Sequence, residues 1–252
     1  MRIRAPLIAI ALGSVMGVVF AGCGIESYYY LYPPTNETSG TSSTTFVVQH
    51  NPQNNSSTFF TLGFDIYYRL YSGTGTDINS SPPNDAIQDM TAIASAAASS
   101  TTADNVVSTM TSHGFVKMDD SLKQSPQNMF IAIPTKNWSS NNVILTINIS
   151  NSLSPAVATF SLSGTSLTPA ASSGSVFRYT SGGNQPFSYF IADSQDCDAS
   201  TGSSMNFPWI VIYAVEYGYA YQEIAEPYYS MPTCMNSLTS TGTYAPSYIG
   251  KY

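Results

Sequence analysis

The sequence predicts a mainly β protein, an antiparallel sandwich with an inserted helical pair, and three observations carry that reading. Of 252 residues only 9 % are charged while 13 % are aromatic, and Ser with Thr (38 and 25) make up a quarter. That mixture suits strands and turns better than long surface helices. Apolar residues alternate with period two through residues 62–70 and again through 207–221. A single stretch, residues 84–113, changes to helical spacing.

The elements follow in chain order. Arg2 and Arg4 precede an apolar run from Ala5 to Phe20, which meets Ala21-Gly22-Cys23. A positive start, a short apolar core and small residues at the cut form a secretory leader, here residues 1–22. The run is shorter than the roughly 20 residues that cross a bilayer core. A Cys directly after two small residues resembles the lipobox of bacterial lipoproteins, whose leader is cut before the Cys and whose thiol is acylated. The resemblance implies lipid attachment at Cys23, a membrane partner held through that lipid, and export to a bacterial envelope. Gly24 is not the Asp that retains such proteins in the inner membrane, so the outer membrane is expected, with the domain periplasmic or at the cell surface.

The formal charge is −7, and losing Arg2 and Arg4 leaves six basic residues against fifteen acidic ones. This balance argues against nucleic acid, which is held through its phosphates. It also means that lipid rather than headgroup charge must hold the protein to a membrane. Cys197 and Cys234 remain outside the cytoplasm, where a disulfide persists. A bridge between them is expected, with two free buried thiols as the alternative that spatial distance decides.

Residues 23–45 read as a lipidated tether, extended around Pro33-Pro34 and flexible through the Ser/Thr/Gly run that follows. The domain occupies residues 46–252. Phe46–His50 is a strand closed by Asn51-Pro52. Leu62, Phe64, Ile66, Tyr68 and Leu70 then place five apolar side chains on one strand face. Asp85 followed by Gln88 resembles a capping box, with Ile87, Met90, Ala94 and Ala97 on one helical stripe. Val106, Val107 and Met110 form a second stripe that ends at Gly114, a natural residue for a helix C-terminus. Strands are expected at Phe115–Met118, Met129–Ile133, Val143–Ile149, Ala156–Leu162, Val176–Tyr179 and Phe187–Ile191. The last long strand, Phe207–Tyr221, is apolar on both parities at its start, as a centrally placed strand requires.

Two of these segments resemble the immunoglobulin-like fold of fibronectin type III domains. Gly63-Phe64-Asp65-Ile66-Tyr67-Tyr68-Arg69-Leu70-Tyr71 is similar to that fold's third strand. Ile210-Val211-Ile212-Tyr213-Ala214-Val215 is similar to its sixth. Phe46–His50 serves as a second strand, and Tyr229-Ser230-Met231-Pro232 resembles the approach to the last. About 140 residues separate the two best segments, which implies a large insertion. The leader, the Tyr-rich tether and the Gly63–Tyr71 strand together resemble lipoproteins of spirochaetes, a likeness that brings no activity with it.

Chemistry-bearing residues are sparse. The two histidines, His50 and His113, read as turn and helix-end residues, and no Gly-X-Ser-X-Gly elbow accompanies them. No Cys/His group has zinc-ligand spacing. Asp193, Asp196 and Asp198 offer oxygens to calcium, yet Phe207 stands where an EF-hand loop counted from Asp196 needs Glu, so a solvated turn is expected. Glu216 with Glu223, or Asp119 with Asp120, could pair for sugar hydrolysis only at the right separation, and Glu216 is expected to face water. Tyr217, Tyr219, Tyr221, Tyr228 and Tyr229 form the candidate binding surface, since tyrosines join apolar area to a hydrogen-bonding tip. Cross-strand packing is the plainer reading of the same residues. The expectation is a non-enzymatic binding or structural module without metal or cofactor, its protein or glycan partner unidentified. A carbohydrate-binding accessory or glycoside hydrolase is the alternative.

Overall fold

A computed structural model describes residues 30–36, 44–54, 59–72, 81–120, 131–132, 143–150, 157–163, 173–180, 183–186, 208–220 and 223–249. The expected strand Phe187–Ile191 and the Asp193, Asp196 and Asp198 group lie outside these residues, as do Cys23 and Cys197. Among them the chain runs through β1 (Thr35–Asn36), β2 (Thr45–Gln49) and β3 (Phe59–Ser72) into helices α1 (Asn84–Ser99) and α2 (Ala103–Ser112). Then come β4 (Val116–Lys117), β5 (Asp119–Asp120), β6 (Ile131–Ala132), β7 (Ile144–Ser150), β8 (Val157–Ser163), β9 (Ser173–Thr180) and β10 (Gly183–Pro186). The chain closes with β11 (Pro208–Ala220), β12 (Glu223–Tyr229), β13 (Thr233–Cys234) and β14 (Ser247–Tyr248).

The strands build two antiparallel sheets. One runs β1-β2-β7-β8-β9-β10 with β5 on β9. The other runs β12-β11-β3-β4, with β13 and β14 on β11 and β6 on β3. Strands β3 and β11 pair along almost their whole length, from Ser72 opposite Pro208 to Phe59 opposite Ala220. Their alternation explains the layering. Phe64, Ile66, Tyr68 and Leu70 of β3, with Ile210, Ile212 and Ala214 of β11, face a core shared with the other sheet. That sheet contributes Phe46 and Val48 from β2, Leu145, Ile147 and Ile149 from β7, and Phe160 and Leu162 from β8. Burying each such side chain contributes about 1.5–3 kcal/mol.

The opposite parity faces the helices. Tyr67 and Tyr71 of β3 and Trp209, Val211, Tyr213 and Val215 of β11 pack against Ala86, Met90 and Ile93 of α1 and Val106 and Met110 of α2. The β11 strand is therefore covered on both sides, as its sequence requires. The helical pair stands where the spacing places it, with two corrections. Helix α1 begins at Asn84 after Pro83 without a side-chain cap, and Asp85 Oδ1 accepts instead from the Ala86 amide at 3.0 Å, so no capping box forms. Its buried face is Ala86, Asp89, Met90 and Ile93, while Ile87 is exposed. Helix α2 ends as expected. The Gly114 amide donates to Thr111 and the Phe115 amide to Met110, each at 3.0 Å, around a Gly114 φ of 78°.

The expected tether needs a larger correction. Residues 31–36 lie on the domain rather than free of it: Leu31 is 1 % exposed and β1 extends the first sheet beside β2. Among the described residues, no helix is long and apolar enough to cross a membrane.

Candidate functional site

Three polar groups lie within this apolar framework. The first sits where β2 ends, beside the second half of β11. His50 continues the inward parity of Phe46 and Val48, and Glu216 continues that of Ile210, Ile212 and Ala214, so the two side chains meet under the sandwich edge. Both are completely buried, with His50 Nδ1 2.6 Å from Glu216 Oε1. The same oxygen accepts from the Asn51 amide at 3.0 Å, and Oε2 accepts from Asn54 Nδ2. The Glu216 backbone is held in turn by Ser230, whose hydroxyl accepts from its amide and whose amide donates to its carbonyl, both at 2.8 Å. Burial pushes the Glu216 carboxyl above its ordinary value, against the pull of His50, Asn51 and Asn54. Glu216 was expected to face water, and that expectation fails. His50 does end its strand at a turn, but both side chains are sealed because each is the next inward position of an apolar stripe.

The same asparagines fix the N-terminal segment. Asn54 accepts from the Tyr32 amide at 2.7 Å and donates to its carbonyl at 2.8 Å, while Asn51 Nδ2 donates to the Pro33 carbonyl at 2.9 Å. Thr233 Oγ1 donates to the Pro34 carbonyl at 2.6 Å, and Asn36 Nδ2 donates to the Cys234 carbonyl at 2.6 Å. The docked segment and the buried carboxylate are thus one hydrogen-bonded network.

The second group joins α1, α2 and β3 around Asp89. Its Oδ2 accepts from Arg69 Nη1 and from the Tyr71 hydroxyl, each at 2.7 Å. Its Oδ1 lies 2.7 Å from His113 Nδ1. Arg69 Nη1 also donates to the His113 carbonyl, capping the end of α2. Burial and the Asp89 bond hold the Tyr71 phenol far above its usual range. A Cβ at Gly114 would stand 3.1 Å from Arg69 Cζ, so glycine serves both the left-handed turn and the approach of the guanidinium. His113 is therefore a hub residue bound to a carboxylate as well as a helix-end residue.

The third group holds the candidate tyrosines. Tyr217 and Tyr219 lie on β11, and Tyr228 and Tyr229 lie on β12. Tyr217 is opposite Tyr229 in the ladder, and their rings are 5.1 Å apart. Tyr217 is only 4 % exposed, and its hydroxyl is 3.1 Å from that of Tyr219. Tyr219, Tyr228 and Tyr229 are half-buried, and Tyr221 lies outside the described residues. Burial, helped by the Asp65 carboxylate, raises the Tyr229 phenol to about 12. Asp65 itself accepts from Lys117 Nζ at 2.6 Å. Tyr217 and Tyr229, both raised by burial, act as hydrogen-bond groups rather than bases.

Cys234 is buried and has no disulfide partner among the described residues, its expected partner Cys197 lying outside them, and burial raises its thiol to about 12. It lines an apolar groove of about 650 Å³ along α1 together with Ile87, Met90, Ala94, Tyr213 and Tyr244. Among the described residues no cluster of His, Cys, Asp and Glu could hold a metal ion. Of the carboxylates considered for sugar hydrolysis, Glu216 is sealed, Glu223 pairs with Ala220 in the β11–β12 ladder, and Asp119 and Asp120 are neighbours on β5 of the other sheet. The buried His–Glu pair and the docked segment were missed, although strand parity carried a signal for the pair. Compared with known protein families, curated proteins and solved structures, the chain finds no match.

Proposed function

We propose that this chain is a lipid-anchored protein of a bacterial envelope, and that its β domain is a non-enzymatic binding or structural module. The observation that carries the reading is the sequence Arg2, Arg4, an apolar run and Ala21-Gly22-Cys23. The site chemistry agrees with it. Both histidines are bonded to carboxylates that hold strands and helices together, and His50 with Glu216 is closed to any substrate. The half-buried Tyr219, Tyr228 and Tyr229 are the residues of the tyrosine cluster offered for contact with a protein or glycan.

The finer fold belongs to the same proposal. The two segments similar to the third and sixth strands of fibronectin type III domains are β3 and β11, direct neighbours in one sheet. Third and sixth strands share a sheet in immunoglobulin-like sandwiches. The helical pair and strands β8 to β10 are then additions to that plan.

Protease shaving of intact cells, with mass spectrometry of the Cys23 peptide, tests the function. Acyl mass on Cys23 with rapid loss of the domain is the expected result, and places contacts outside the cell. Survival of the domain until the envelope is broken would move the module to the periplasm. An unmodified Cys23 would overturn the anchor.

A further inference from the structure

Building on the lipid anchor proposed above, we infer that the end of the domain bearing Tyr30 and Tyr32 rests on the membrane surface, with both phenol rings among the lipid headgroups. Chain length carries the first step. Six residues, Gly24 to Tyr29, separate Cys23 from Tyr30. Seven extended Cα steps reach at most about 25 Å. No slack is added downstream, because residues 31–36 are hydrogen-bonded to Asn51, Asn54 and Thr233 and paired with β2. An acylated Cys23 therefore holds this end of the domain close to the bilayer.

The surface itself carries the second step. Leu31 turns into the domain at 1 % exposure, while its neighbours Tyr30 and Tyr32 are exposed at 48 % and 41 %. Their rings meet edge to face with centroids 5.2 Å apart, forming one aromatic projection. Tyrosine is enriched where membrane meets water, since its ring suits the acyl boundary and its hydroxyl stays hydrated. The acidic balance of the chain gives no attraction to anionic headgroups, so the contact is aromatic and fits a neutral lipid surface. The far end is also defined. Ser72 lies eight residues along β3 from Phe64, the ladder partner of Glu216. That is a rise of roughly 26 Å.

The test uses the full acylated chain in phosphatidylcholine vesicles that carry a nitroxide on the headgroup. Tryptophan emission is compared for Tyr32→Trp, Tyr30→Trp and Ser72→Trp, each against the unsubstituted chain to remove the Trp138 and Trp209 background. The expected result is loss of most of the added emission at positions 30 and 32 and little loss at 72. Tyr30→Trp, at the most exposed position, keeps the test valid should Tyr32→Trp disturb the fold. Equal quenching at both ends, or stronger quenching at 72, overturns the inference. The mass of the Cys23 peptide from the same vesicles separates the two readings. Absent acyl mass removes the anchor, whereas acylated Cys23 with unquenched reporters at 30 and 32 removes only the membrane-facing end.

Discussion

The molecule contains two histidine–carboxylate pairs of nearly the same geometry in opposite surroundings. His50 and Glu216 meet at 2.6 Å with neither side chain exposed, whereas His113 and Asp89 meet at 2.7 Å with exposures of 35 % and 11 %. Distance alone would rank them equal. Burial separates them, because a sealed pair must satisfy every remaining polar atom from the protein, and a partly exposed imidazole such as that of His113 can also turn to water. Accordingly Glu216 gathers the Asn51 amide and the Asn54 side chain, while Asp89 shares its oxygens among Arg69, Tyr71 and His113 at the seam between sheet and helices. The inner pair locks a sheet edge and the N-terminal segment. The outer pair fastens one layer to another.

The sharpest way to break this contrast is Glu216→Ala. It strands His50, the Asn51 amide and Asn54 in an apolar enclosure, and losing one partner of a buried pair costs about 3–5 kcal/mol. Chemical denaturation should show a fall of that size, and residues 31–36 should become accessible to protease, since Asn54 holds both the carboxylate and Tyr32. A loss below 1 kcal/mol would mean that the enclosure admits water.

The pH dependence of the same residue comes next. Its carboxyl is raised above the ordinary 4.5, so the unfolded chain releases this proton before the folded one does. The stability it contributes is full below pH 4.5 and declines as pH rises toward the folded value, by about 1.4 kcal/mol per unit. Against a Glu216→Gln variant the native chain should therefore lose ground across that window. A difference that stays constant with pH would assign the titration elsewhere.

Gly114→Ala probes the outer group. The left-handed turn costs a residue with a Cβ about 1–2 kcal/mol. The added carbon would also press on Arg69, 3.1 Å away, and disturb its bond to Asp89. A fall of that size in denaturant midpoint, with the inner sandwich unchanged by near-ultraviolet dichroism, is the expected outcome.

Much of this was legible in the sequence where local periodicity and final packing coincide. Period two in residues 62–70 and 207–221 named β3 and β11, and Gly114 named the end of α2. The capping box misled because helix ends depend on what the helix packs against. Asp89 bonds Arg69 and Tyr71, and α1 correspondingly turns Ala86 and Ile93 to the sheet and leaves Ile87 outside. The Glu216 cluster joins residues 166 positions apart, and no local rule reaches that far. Parity held a usable sign: His50 and Glu216 are the first polar residues of two inward-facing stripes. The docking of residues 31–36 left no local sign, because Pro33-Pro34 looks the same in a linker as in a docked edge.

The smallest effect is expected at His113, and it separates the two pairs most directly. Its ring is one of three partners of Asp89, while the Arg69 bond to the His113 carbonyl is a backbone contact that survives any side-chain change. Solvent reaches the pair through the His113 side, so screening and side-chain entropy leave the His113 contact worth about 0.2–1 kcal/mol. His113→Ala should lower stability by no more than that, and added salt should shrink the difference further. His50→Ala, by contrast, should behave like the buried case, with a large loss that salt does not relieve. If the two histidine variants prove equally costly, geometry rather than burial governs these pairs, and the distinction drawn between inner lock and outer fastening fails.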